Sequence, residues 1–161
     1  MLSRGKPMAP SQGEIAIFSP LVIGVGVTTG TIVIHAVALI TIVHFVRHER
    51  RLGRVGVRFW RDLAIVTETA LLALAAHLIE ITAWAGVFDL CREFPNFAPA
   101  FYHSAVNYTS LGYGDVVMSS SWKLLGPLET ADGMLMFGVS TAMLFAVIQR
   151  LIQTRFRDAD G

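Results

Sequence analysis

Charged residues are spread so unevenly along this chain that the gaps between them define its elements. No Asp, Glu, Lys or Arg occurs from position 15 to position 46. A helix that crosses the hydrocarbon core needs about 20 mostly apolar residues, whereas a signal-peptide core has only about 7–15. The gap therefore predicts a spanning helix over 14–46. Gly26 and Gly30 within it form a GxxxG pair, a spacing that allows close helix contact but also occurs because glycine is common in membrane helices. A second apolar stretch, 63–88, is interrupted by Glu68, His77 and Glu80. Its length suits another span, and Trp60 and Trp84 fall near its ends, where aromatic belts occur. A third span is expected over about 122–153, with no charge from 133 to 149. Ser119, Ser120 and Ser121 precede it as candidate caps, and Pro127 sits near its start, where proline is tolerated best. Between the second and third stretches, the polar segment DLCREFPNFAP leads into the apolar run 100–108. That run is too short to cross a bilayer and suits a re-entrant helix.

These elements divide the chain into five parts. A Pro/Gly/Ser-rich lead over 1–13 is expected to be disordered. The first span, 14–46, is followed by a basic loop over 47–62 that holds six arginines. The remaining helices occupy 63–153, and 154–161 form a short tail. Arginine-rich short loops stay in the cytoplasm. Three spans then put the C-terminus, with Arg150, Arg155 and Arg157, on the same side. The N-terminus and the connection carrying Arg92 and Lys123 face out, although Arg4 and Lys6 weigh slightly against this.

Composition narrows the function classes. Only 16% of the 161 residues are charged and 53% are hydrophobic, where a soluble domain carries about 25% charge. The net charge of +1 implies no bulk polyanion partner, and no nucleic-acid motif is present. Cys91 is the single cysteine, which excludes an internal disulfide framework and a CxxC metal site. It is left as a free thiol or a partner for its own copy in a neighbouring subunit.

One segment points to chemistry. Thr109-Ser110-Leu111-Gly112-Tyr113-Gly114-Asp115 follows the short helix and lies on the outward connection. To shed its water, a cation needs a ring of oxygens, and stacked backbone carbonyls supply one. Carbonyls that all point one way require unusual angles at alternate residues, which glycine adopts at no steric cost. Gly112 and Gly114 have that spacing. Irregular backbone at membrane depth is tolerated where protein buries it or water meets it, as in a pore.

This segment resembles the selectivity filter of potassium channels, usually written T-T-V-G-Y-G-D. Ser110 stands where the family usually has threonine, and Leu111 where it has valine or isoleucine. The resemblance spans about 63–153 and implies an outer helix, a pore helix, a filter and an inner helix. The first span is an addition to that minimal plan. The implied fold is an all-α membrane protein, with three transmembrane helices plus a re-entrant pore helix, assembled as a homotetramer. The implied activity is passive, potassium-selective conduction, with K+ at Ser110, Leu111, Gly112 and Tyr113, and with no cofactor and no enzymatic activity. In the family, the hydroxyl at the position of Ser110 forms the innermost ion site. Tyr113 would brace the filter from behind, and Asp115 would lie at the outer mouth. Gly138 stands where related channels often carry a hinge. Thr141, Phe145 and Ile148 follow on one helix face. If that face lines the pore, Phe145 and Ile148 form a constriction near the cytoplasmic end.

Other polar groups keep alternatives open. His35, Glu68, His77 and Glu80 are ionisable residues within spans. They mark either a proton-sensitive site or hydrogen-bonded packing between helices. His77 and Glu80 share a face and are expected to turn toward protein. Glu129 and Asp132 suit a helix N-terminus, and are also placed to accept bonds from Asn107 or Tyr108 behind the filter. His44 and His48 have a zinc-gripping i, i+4 spacing. With His35, His77 and the two glutamates they raise an intramembrane metalloenzyme as a competing class. A non-selective cation channel and a non-conducting regulatory subunit are the remaining alternatives. The first span has no arginine repeat of a voltage sensor. Gating is therefore expected from the membrane part, lipids, pH or a separate regulatory partner. A small, domain-poor chain of this kind suggests a bacterial inner membrane.

Overall fold

The chain folds, in the computed structural model, into four helices over the described residues 16–56 and 58–157. The expected disordered lead, 1–13, lies outside them, as do residues 158–161. The helices are α1 (Phe18–Arg51), α2 (Phe59–Leu90), α3 (Phe97–Tyr108) and α4 (Leu125–Arg157). Among the described residues there is no strand. α1, α2 and α4 are each long and apolar enough to cross a membrane. At 32–34 residues they reach about 50 Å, well beyond a hydrocarbon core of about 30 Å.

The helices overrun the limits expected from the charge pattern. Positions 47–51 belong to α1, and 59–62 already belong to α2, so the basic loop shrinks to residues 52–58. Nothing breaks α1 before Gly53, and its terminal His48, Arg50 and Arg51 suit the negative end of the helix dipole. Positive φ at Gly53 (65°) and Gly56 (79°) makes the reversal. Ion pairs then pin it. Buried Glu49 of α1 takes Arg61 of α2 at 2.5 Å, with Arg54 at 3.5 Å. Asp62 accepts from the Gly56 amide at 2.9 Å and pairs with Arg155 of α4 at 2.7 Å. The fourth helix likewise starts later than expected, at Leu125, and continues into the supposed tail. The serines do not cap it. Ser119 instead gives its amide and its hydroxyl to Glu93, at 2.6 and 2.8 Å.

α1 packs against α2 and α4, and α3 sits between α2 and α4. Two apolar clusters hold the bundle. One gathers Ile81, Trp84 and Phe88 of α2 with Ala100, Tyr108, Leu125 and Met136. The other gathers Ile42, Val55, Ile65, Val147 and Leu151. Trp84 is fully buried in the first cluster and is no belt residue, whereas Trp60 is 75% exposed. Gly26 and Gly30 face open space, so the GxxxG pair makes no contact within the chain.

Candidate functional site

α3 aims its C-terminus into the segment 109–115. Asn96 caps its start, accepting from the Ala98 amide at 3.1 Å, and Pro99 falls in the first turn. The helix ends at Tyr108. Beyond it, φ is positive at Ser110 (61°), Gly112 (58°) and Gly114 (70°), every second residue. Glycine takes this region without a penalty, and Ser110 is one of two described non-glycine residues that do so. The reversal after α3 is anchored by amide bonds from Ser110 to the Asn107 carbonyl and from Leu111 to the Val106 carbonyl, both 2.9 Å. At the far end, exposed Tyr102 of α3 donates to Asp115 at 2.9 Å. That bond pushes the Tyr102 phenol above its ordinary range, with smaller contributions from desolvation and the carboxylate charge. Within one chain, Leu111 is 56% and Tyr113 66% exposed, so neither braces anything in its own subunit.

Behind this loop, polar side chains cross-link the helices. Glu129 of α4 lies 2.5 Å from the Ser104 hydroxyl of α3. Asp132 accepts from Thr31 of α1 at 2.7 Å and from the Trp84 indole at 2.8 Å. The expected donor Tyr108 goes elsewhere. Its hydroxyl donates to Glu80 and lies 3.0 Å from His77. Asn107 pairs its side chain with His103 at 2.9 Å and offers its carbonyl to Thr130 at 3.0 Å. Tyr108 thereby engages α2 at Glu80, one turn before Trp84.

Of the ionisable residues in spans, His35, His77 and Glu80 come together, buried to 2%, 4% and 0% exposure. His77 and Glu80 thus face protein, as their shared helix face implied. Glu68, His44 and His48 are exposed and stay apart from them. The metal-ligand geometry suggested for His44 and His48 therefore involves neither the buried histidines nor Glu80. Along α4, Gly138 and Thr141 are exposed in an unbroken helix, and Phe145 is 64% exposed. Ile148 is half-buried and lines a groove with Phe59, Leu63 and Val66 of α2. Cys91 is a free, half-buried thiol just past α2. Burial, then the Glu93 carboxylate, raises its pKa.

Four contributors gave no sequence signal of function: Ser104, Thr31, Ser140 and Gly133. A Cβ on Gly133 would meet the Tyr108 carbonyl oxygen at 2.1 Å, so only glycine lets α4 approach the end of α3.

The short helix and the irregular, glycine-punctuated loop thus lie between two helices long and apolar enough to span a membrane. A family model described as an ion channel matches residues 76–150, which take in the second half of α2, all of α3, the loop and most of α4. The match covers 75 of the 161 residues, with α1 outside it, and agrees with the resemblance carried by Thr109 to Asp115: over that segment the chain, an integral membrane protein by its three long apolar helices, is similar to ion channels. No curated protein and no solved structure matches it.

Proposed function

We propose that four copies of this chain surround one axis and conduct potassium selectively through the backbone of Thr109, Ser110, Leu111, Gly112, Tyr113 and Gly114. The observation that carries this reading is the alternation of positive φ at Ser110, Gly112 and Gly114. Left-handed angles at every second residue turn successive carbonyls toward one side, which is what a ring of dehydrating oxygens needs. K+ is then held at Ser110, Leu111, Gly112 and Tyr113, with the Ser110 hydroxyl at the innermost site and Asp115 at the mouth. Bare backbone and the exposed Leu111 and Tyr113 side chains at membrane depth call for cover, and neighbouring copies supply it. In this arrangement α3 is the pore helix and α4 the inner helix, and exposed Phe145 narrows the cytoplasmic end. The six arginines of 47–61 support a cytoplasmic loop and C-terminus with the N-terminus outside, and in this reading the membrane is a bacterial inner membrane. No cofactor is required.

The test is the bi-ionic reversal potential of the purified protein in planar bilayers, alongside the detergent-corrected mass of the complex. A potassium preference and a four-chain mass are expected. Equal sodium and potassium permeability would leave a non-selective cation channel. No flux at all would leave a non-conducting subunit.

A further inference from the structure

Five side chains from four helices close a ring in the middle of the bundle. Glu80 of α2 meets His35 of α1, with Oε1 to Nδ1 at 2.9 Å. His35 Nε2 lies 3.0 Å from Ser140 Oγ of α4, and the same oxygen lies 3.0 Å from His77 Nε2 of α2. His77 Nδ1 lies 3.0 Å from the Tyr108 hydroxyl of α3, which returns to the other Glu80 oxygen. Both imidazoles thus turn Nδ1 toward the carboxylate and Nε2 toward one serine. Five contacts need five protons, and each group in its neutral form carries one. The closed ring is therefore neutral, as a site at this depth requires.

We propose that this ring is a binding site for one divalent transition-metal ion of the zinc class, held by His35 Nδ1, His77 Nδ1 and the Glu80 carboxylate. Two imidazoles and a carboxylate form a common three-ligand set for such ions, with a fourth position left to water. The spacing fits. Metal–nitrogen bonds of about 2.0–2.1 Å put tetrahedral neighbours about 3.3 Å apart. Here His35 stands 2.9 Å and His77 3.5 Å from Glu80, and one ligand atom from each of the three lies within 4.8 Å of the others.

The surroundings fit as well. A ligating histidine donates its other ring N–H to a fixed acceptor. Ser140 Oγ has two lone pairs and is placed to accept from both Nε2 atoms, which leaves both Nδ1 atoms free for the ion. Tyr108 orients Glu80 from its second oxygen. On the serine side of the ring, a recess of about 190 Å³ is lined by His77, Ser140 and exposed Thr141. Thr69, 1% exposed, also lines it, and its hydroxyl has no partner within the chain. Binding displaces one proton from the ring, and a second proton leaves the bound water, so two charges replace two and the site stays neutral. Nitrogen donors favour zinc, cobalt or nickel over magnesium or potassium. The ion would tie α1 to α2 and fix the carboxylate on which Tyr108, one residue before Thr109, rests.

The test uses the full-length protein in detergent with Co2+ as probe, because tetrahedral Co2+ absorbs visible light far more strongly than the hydrated ion. One Co2+ per chain with a tetrahedral band, displaced by Zn2+, is expected. His35→Ala and His77→Ala should each weaken binding on the order of 100-fold or more. Ser140→Ala should keep the stoichiometry and weaken binding by about 10–100-fold, as loss of an orienting partner does. The double variant His44→Ala/His48→Ala should bind as wild type. Wild-type protein that gives no tetrahedral band in excess Co2+ overturns the proposal, whatever the variants do. So does unchanged binding in His77→Ala, or binding lost in the His44→Ala/His48→Ala double variant.

Discussion

Two parts of this chain gather polar atoms between its long apolar helices, and they do so by opposite means. The loop from Thr109 to Asp115 uses backbone. Its geometry is set by residues with positive φ, and its side chains are largely exposed within one subunit. The layer behind it uses side chains. Thr31, His35, His77, Glu80, Ser104, Glu129 and Asp132 are all buried and joined across four helices. A backbone site tolerates little change at its glycines and much at its side chains. A side-chain layer behaves the other way round, because each partner removed strands another in a low-dielectric interior.

The largest effect expected from this contrast falls on the backbone site. Gly112→Ala or Gly114→Ala adds a Cβ at φ of 58° or 70°, although no neighbouring atom in the subunit obstructs it. The cost is conformational, about 1–2 kcal/mol per copy and so about 4–8 kcal/mol around a four-fold axis. Potassium-selective flux should be abolished in bilayer recordings of either variant. Unchanged selectivity in Gly112→Ala would mean that ions pass somewhere else and would break the comparison at its root.

Next comes the junction between the two regions. Gly133→Ala drives a methyl into the Tyr108 carbonyl, and backbone cannot step aside as a side-chain tip can. A loss of about 3 kcal/mol is expected, at the upper end for overpacking. Gly138→Ala, on the same helix with open space around it, should instead gain about 0.5–1 kcal/mol. Thermal unfolding in detergent separates the two. Equal melting temperatures would show that α3 does not dock on α4 as closely as described.

The same contrast explains what the sequence disclosed. The spans were legible because charges are absent from them, and the loop because glycines punctuate it. Helix ends were not, since Glu49 and Asp62 decide them through partners 12 and 93 residues away, Arg61 and Arg155. The pairing of His77 with Glu80 was readable from one helix face. Their partners His35 and Ser140 stand 45 residues from Glu80 and 63 from His77, and no local spacing reveals such contacts. Trp84 looked like a belt residue because indole suits both a headgroup and a buried carboxylate. Only the packing that brings Asp132 to it decides between them.

A smaller effect is expected from a single cut in the polar layer. Tyr108→Phe keeps the ring that packs between α2 and α4 but leaves Glu80 and His77 each short of one partner. About 2 kcal/mol should be lost, the cost of an unpaired buried polar group. A double-mutant cycle with His77→Phe measures the coupling between the two. Strict additivity of the two losses would show that the layer is a set of separate contacts and not a connected network.

The smallest effect belongs to the outer rim, where the two regions exchange character. Tyr102 is an exposed side chain on α3, yet it holds the backbone loop through Asp115. Its phenol is raised above the ordinary value of 10.0, first by the hydrogen bond to Asp115, then by desolvation and the carboxylate charge. The sign follows directly. A group whose folded pKa lies above its unfolded one contributes fully below the unfolded value, and the contribution fades as pH rises through the folded value. The bond should therefore be intact throughout neutral pH and fail only in alkali, beyond pH 10. Phenolate absorbance, recorded as the difference between wild type and Tyr102→Phe, isolates this residue from Tyr108 and Tyr113. A midpoint above that of free tyrosine is expected for the missing component. A midpoint at the free value would mean that Tyr102 and Asp115 do not meet in the assembled protein, and that the outer end of the loop is held by something other than α3.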